Sequence, residues 1–200
     1  MKKILVFLTV FSFLVSSQAF AEVYQIDKDH SSVSFKIKHL FSKVQGHFKD
    51  YESSFTYEPG KPETWNAKAV IKTDSIDTGV EKRDEHLKSP DFFDVATYPT
   101  IEFTSTGASE ASDNKGKLNG VLKMHGVEKP VTLDLEVHGV GNDPWGNTRL
   151  GATATTTVNR KDFGLTWNKA LETGQLLVGE DVEITLEIEG IQQKDVANAE

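Results

Sequence analysis

Two stretches carry residues whose types and spacing could do chemistry. In Arg83–Ser105, Arg83, Asp84, Glu85 and His86 stand close to the pair Phe92-Phe93, and Tyr98-Pro99 leads into Ile101-Glu102-Phe103. A charged turn feeding an apolar plug suits the lid or mouth of a cavity. In Asn159–Trp167, Arg160, Lys161 and Asp162 precede Phe163-Gly164 and Trp167. A planar guanidinium at such a corner suits a phosphate or other anionic head group. Each stretch has a structural alternative. The first could simply cover a core, with Arg83 and Asp84 exposed, and in the second Arg160 could pair with Asp162 or another carboxylate.

Other chemistry finds little support. There is no cysteine, no Gly-rich phosphate loop, no GxSxG and no HExxH. The six histidines, His30, His39, His47, His86, His125 and His138, form no i/i+2 or i/i+4 pair, so local spacing supports no metal site. His30 and Ser31, near Asp27 and Asp29, cannot easily act as base and nucleophile, because neighbouring residues of a strand point to opposite faces. The sequence therefore predicts no catalytic residue, no metal and no cofactor.

The elements that position these stretches are mostly strands. Val33, Phe35 and Ile37 alternate with polar residues, as do Val44, Gly46 and Phe48, then Leu118, Gly120, Leu122 and Met124, then Val131, Leu133, Leu135 and Val137, and finally Val182–Ile188. Turns fall at Glu58–Pro62, at Gly126 and at Asn142–Asn147, and Gly107–Gly116 reads as a polar hairpin loop. One helical turn interrupts this pattern, with Asp77 as expected N-cap and Pro90 as its stop. Eight or nine strands of even spacing predict an all-β fold, an up-and-down antiparallel barrel of about eight strands with one short helical insert; a sandwich is second choice. Such a barrel is either filled by side chains or left open for one small ligand. The run Gly151–Thr157 carries only Gly, Ala and Thr, which argues for room at Ala152 and Ala154, and Ala67, Ala69 and Gly120 add to it. The alternative is that bulky neighbours such as Trp65, Phe103 and Trp167 fill that space.

Composition bounds the setting. Lys2 and Lys3, an apolar run over Ile4–Val15 and Ala19-Phe20-Ala21 read as a signal peptide cleaved after Ala21, which predicts a periplasmic protein. The domain expectation is then 1–21 signal, 22–191 one barrel, and 192–200 a polar tail. The chain carries a formal net charge of −8, which disfavours nucleic acid and anionic membranes as bulk partners. No membrane span is expected after cleavage, and a homodimer is left open.

Several separated motifs stand out: Tyr24-x-Ile26-Asp27, His30-Ser31-x-Val33-x-Phe35 with His39, Gly46-x-Phe48, Arg83-Asp84-x-His86-Leu87 with Asp91-Phe92-Phe93-Asp94 and Tyr98-Pro99, Leu118-x-Gly120, Gly126-x-x-x-x-Val131, Arg160-x-Asp162-Phe163-Gly164, and Val178–Glu187. Taken together, they resemble the YceI family of periplasmic lipid-binding proteins. The resemblance implies an extended lipocalin-like barrel that holds a long polyisoprenoid or similar amphiphile, such as an isoprenoid quinone or a prenyl phosphate, without catalysis. The candidate ligand-binding residues are Phe35, His39, Arg83, His86, Phe92, Phe93, Ala152, Ala154, Arg160, Asp162 and Trp167. Competing readings are a stress-response barrel acting through a protein partner and, further off, an isoprenoid-modifying enzyme.

Overall fold

The computed structural model describes residues 22–193 apart from 113, 173 and 175; the expected signal segment 1–21 and most of the expected tail lie outside the described residues. The strands are β1 (Val23–Ile26), β2 (Ser32–His39), β3 (Ser42–Phe48), β4 (Tyr51–Thr56), β5 (Asn66–Lys72), β6 (Ile76–Asp77), β7 (Thr100–Ser112), β8 (Lys115–Met124), β9 (Val127–Asn142), β10 (Thr148–Asn159) and β11 (Val178–Gln192). One helix, α1 (Glu81–Lys88), lies between β6 and β7.

Every pairing is antiparallel and follows chain order. β1 and β2 both lie along β11; β4 pairs with β1 and β3 with β2; β5 pairs with β4 and β6 with β3. The eleven segments thus make eight strand positions, and β11 on β1 and β2 closes the barrel. Closure pairs most strand edges, while β6 pairs only with β3 and Ser42–Gly46 of β3 only with β2. The polar stretch Gly107–Gly116, expected as a loop, is instead strand on both sides, because β7 runs to Ser112 and β8 begins at Lys115. The β7–β8 ladder continues through this stretch with register shifts between Ser105 and Gly107 and between Ser109 and Ser112, and Ala108 and Ala111 pack against the cluster that holds Trp65. Similarly β11 extends to Gln192, into the segment expected to be tail.

The apolar residues of the alternating strands gather into two clusters along the barrel. One joins Tyr24, Tyr57, Trp65, Leu118, Val137 and Leu150 at the end that carries the β9–β10 turn. The other joins Phe48, Ile76, Ile101, Met124, Phe163 and Leu165 at the end that carries α1. Phe103 packs against both. Its ring lies over Gly120, where an added Cβ would sit 2.5 Å from the ring and 2.7 Å from the Thr104 carbonyl oxygen. The backbone oxygen cannot yield as a side chain can. Gly120→Ala is therefore expected to destabilise the barrel by about 1–3 kcal/mol, read as a lower urea midpoint. An unchanged midpoint would show that the ring and strand relax freely.

Around α1 the local chemistry differs from the sequence expectation. Asp77 does not cap the helix. It sits in β6, where its carboxylate accepts the Gly79 N–H at 2.7 Å and pairs with Lys49. The chain turns at Gly79 with φ of +76°, a left-handed conformation that glycine adopts cheaply. The helix then starts after Val80 and stops at Lys88, two residues before Pro90.

Candidate functional site

An apolar cavity of about 350 Å³ occupies the α1 half of the barrel. Its walls come from inward-facing residues of nearly every strand: Val33, Phe35 and Ile37 on β2, Ala69 and Ile71 on β5, Phe103 on β7, Thr156 and Val158 on β10, Val182 and Ile184 on β11. Period-two alternation is what turns these side chains inward and their polar neighbours outward. The volume falls within the usual range for small-molecule sites.

At the α1 end the two chemically distinct stretches of the sequence meet. His86 of α1, Phe92 after it and Trp167 after β10 pack ring on ring, with centroids 5.0 Å apart for His86–Phe92, 4.9 Å for His86–Trp167 and 5.1 Å for Phe92–Trp167. His86 Nε2 lies 2.9 Å from Asp91 Oδ2, which fixes the ring. Phe93 packs edge-on to Phe48, which in turn meets Phe35. Phe35, His39, Arg83, His86, Phe92, Phe93, Arg160 and Trp167 all line the cavity.

The two arginines are held differently, and neither by its neighbouring carboxylate. Arg83 donates through Nε to Thr78 Oγ1 at 2.7 Å and through Nη2 to the Thr78 carbonyl at 2.9 Å. Asp84 accepts from the Thr78 N–H and hydroxyl, so Thr78 links the two charges without a direct pair. Arg160 is only 3% exposed. It donates through Nε to the Gly179 carbonyl at 2.8 Å and through Nη1 to the Leu165 carbonyl. Nη2 has no hydrogen-bond partner, and no carboxylate among the described residues forms an ion pair with this guanidinium. Burial pushes its pKa below the ordinary arginine value, opposed by the more distant Glu180. A buried cation satisfied only by backbone carbonyls is costly, and it favours an anionic or strongly accepting group nearby. The corner is shaped by the 3-10 turn Arg160–Phe163, where the Asn159 side chain caps Lys161 N–H and Gly164 adopts φ of +79°.

Three expected site residues lie elsewhere. Ala152 and Ala154 do face inward, but into the packed cluster with Tyr24, Trp65 and Leu150 rather than the cavity. The aromatic residues Tyr24, Tyr57 and Trp65, from other parts of the barrel, share that cluster with these alanines. Asp162 is exposed on the turn and does not line the cavity. Sequence reading missed Thr78, Thr156 and Leu177 as lining residues, and no local signal marks them. Ala69, noted only as a small residue, is a wall of the cavity.

At the opposite end a charged cluster ties the closing seam. Arg149 on β10 reaches Asp143 at 2.8 Å, Asp27 at 2.6 Å, and Glu189. Asp27, His30 and Glu189 are close enough together to hold a metal ion, but the Arg149 guanidinium already bonds both carboxylates. Arg149 holds the Asp143 and Asp27 carboxyls below the usual carboxylate range. Both are ionised in the fold, so their contribution is present above about pH 4 and lost as pH falls below it. His30 works oppositely: the Asp27 hydrogen bond raises its pKa, so its smaller effect fades as pH rises past the ordinary histidine range. Arg149→Met is expected to lower Tm by roughly 5 °C at pH 7 and to flatten the fall in Tm between pH 5 and pH 3. A mutant whose Tm falls as steeply with acid as the parent's would place the acid sensitivity elsewhere.

A closed antiparallel meander around an apolar, ligand-sized cavity defines a lipocalin-like β-barrel. The chain belongs to the YceI-like domain family, whose model matches residues 24–190. A UPF0312 protein of Pseudomonas putida is 39% identical over 184 residues, covering 90% of this chain and 92% of that protein. The YCEI protein of Campylobacter jejuni, a solved structure, is 28% identical with a TM-score of 0.68, covering 94% of this chain and all of that one. A solved polyisoprenoid-binding domain from Saccharophagus degradans shares the fold at a TM-score of 0.63 and 16% identity, covering 85% and 98% of the two chains.

Proposed function

We propose that this chain is a periplasmic binding or carrier protein that takes the long apolar tail of an amphiphile, such as an isoprenoid quinone or prenyl phosphate, into the barrel and keeps its head group near Arg160. The observation that carries this is the cavity itself, walled by Val33, Phe35, Ile71, Phe103 and Ile184 with Arg160 at its α1 end. Burying about fifteen methylenes at ~0.8 kcal/mol each amounts to roughly 12 kcal/mol gross, of which ordering a flexible chain takes back a large part. The polyisoprenoid-binding domain with the same fold is consistent with such a ligand. Binding rather than turnover is the reading that the largely apolar wall supports. The periplasmic setting rests on the Lys2-Lys3 and Ala19-Phe20-Ala21 pattern.

Organic extraction of the protein purified from its native host, followed by mass spectrometry, tests the reading. A stoichiometric isoprenoid lipid or quinone is the expected product. Protein that yields no lipid, and that quenches no added prenyl ligand after delipidation, would defeat it.

A further inference from the structure

The β2–β3 hairpin ends in an apolar tip at the cavity's own rim. Phe41 at that tip is 93% exposed, and Leu176, on the segment before β11, is 46% exposed. The two segments are stitched together, since the Leu40 N–H donates to the Leu177 carbonyl at 3.0 Å and His39 pairs with Val178. His39, Leu177 and Val178 line the cavity. The same few residues thus face the interior on one side and offer bare apolar surface on the other.

The hairpin's own charge is opposite to that of the molecule, with Glu183 facing it in register from β11. From Ser31 to Lys49 there are four lysines and no acid, in a chain whose net charge is −8. Lys43 and Lys49 are answered by Glu183 and Asp77. Lys36 and Lys38 are exposed and form no ion pair among the described residues. A bare aromatic with flanking lysines is the pattern that enters a lipid interface, the ring among acyl chains and the ammonium groups at phosphates.

We propose that this tip docks the barrel on an anionic lipid bilayer, with Phe41 and Leu176 inserted and Lys36 and Lys38 on head-group phosphates, so that the cavity rim meets the membrane. The purpose of the docking, loading or release of a lipid, rests on the proposed lipid-binding function; the docking itself does not. An exposed aromatic at the far end supplies a control: Trp145, in the β9–β10 turn, is 80% exposed and sits beside Asp143 rather than lysines.

The test is co-sedimentation of the full protein with vesicles of phosphatidylglycerol and phosphatidylethanolamine, and with phosphatidylcholine vesicles. Binding is expected to the anionic vesicles and to weaken with salt. Phe41→Ser with Leu176→Ser is expected to cut partitioning by about tenfold, Lys36→Gln with Lys38→Gln to remove the preference for phosphatidylglycerol, and Trp145→Ser to change nothing. Absence of binding by the unaltered protein, or equal losses for the Phe41 and Trp145 variants, overturns the proposal. So does a dimer that dissociates in the Phe41→Ser variant, which would make the tip a contact between copies. A vesicle-free assay with a short, soluble prenyl ligand separates the two readings. Docking variants should keep this binding, and its failure in the unaltered protein with vesicle binding intact would remove the cavity reading alone.

Discussion

A chain carrying Ala69→Trp is expected to remain folded and to lose roughly a hundredfold of its affinity for a long isoprenoid chain. Ala69 points inward from β5, opposite Phe103 and Ser53, and all three line the cavity. An indole there occupies space rather than displacing atoms. If it excludes four methylenes of the ligand, about 3 kcal/mol of burial is lost, which corresponds to that hundredfold. Ala154→Trp provides the contrast. Ala154 is 2% exposed inside the packed cluster, so the same bulk must move its neighbours and is expected to cost about 1–3 kcal/mol of stability or more. Fluorescence titration with a prenyl ligand and a thermal melt on both variants decide the matter. Unaltered binding by the Ala69 variant would mean that the ligand does not occupy this cavity.

The second large effect is selective for charge. Arg160→Met should weaken a prenyl phosphate by about a hundredfold and an uncharged quinone of the same tail by only a few-fold. Opposite unit charges ~5 Å apart at an effective dielectric of about 20 attract by roughly 3 kcal/mol, and only the phosphate gains this. The substitution also strips donors from the Gly179 and Leu165 carbonyls, so some loss of Tm is expected. Arg160→Lys separates the two causes, since it keeps the charge and loses the fork. Arg83→Ala is expected to act on α1 first, because its guanidinium is committed to Thr78. Equal losses for both ligands in Arg160→Met, with a lower Tm, would make Arg160 a structural brace alone.

Much of the barrel was legible because alternation and strand are the same physical fact: one face is dry and the other wet. Val33–Ile37, Leu118–Met124 and Val131–Val137 each became a strand with the apolar set inside. Less legible was how the strands break. Residues 27–31, and the short turn between β3 and β4, divide strand positions into two segments, and this depends on how neighbouring strands pair rather than on local composition. The meeting of His86 with Trp167 joins residues far apart in the chain, and nothing local to either marks it. Ala152 and Ala154 leave no opening because a small residue makes room only if nothing else in the core fills it, and they sit in one packed cluster with Tyr24, Trp65 and Leu150. Asp162 misled because its neighbour Arg160 turns into the protein while the carboxylate stays in water.

The chain-order meander also has a kinetic consequence. Seven of its eight seams join strands that follow each other in sequence and can zip from local turns. The eighth pairs Tyr24 with Gln192 and Ile37 with Val182, and the Gln193 N–H donates to the Val23 carbonyl at 2.8 Å. Bringing together chain segments on the order of 150 residues apart costs about 4–5 kcal/mol of loop entropy before any ladder bond repays it. That seam should therefore form last and set the folding rate, as distant contacts generally do. The side chains that hold it, Arg149 with Asp27 and Glu189, would then act mainly on unfolding, since they are absent from the transition state. A circular permutant joined across residues 23 and 193 and opened between β7 and β8 converts the slow seam into a hairpin, and it should fold faster while unfolding from the same native barrel.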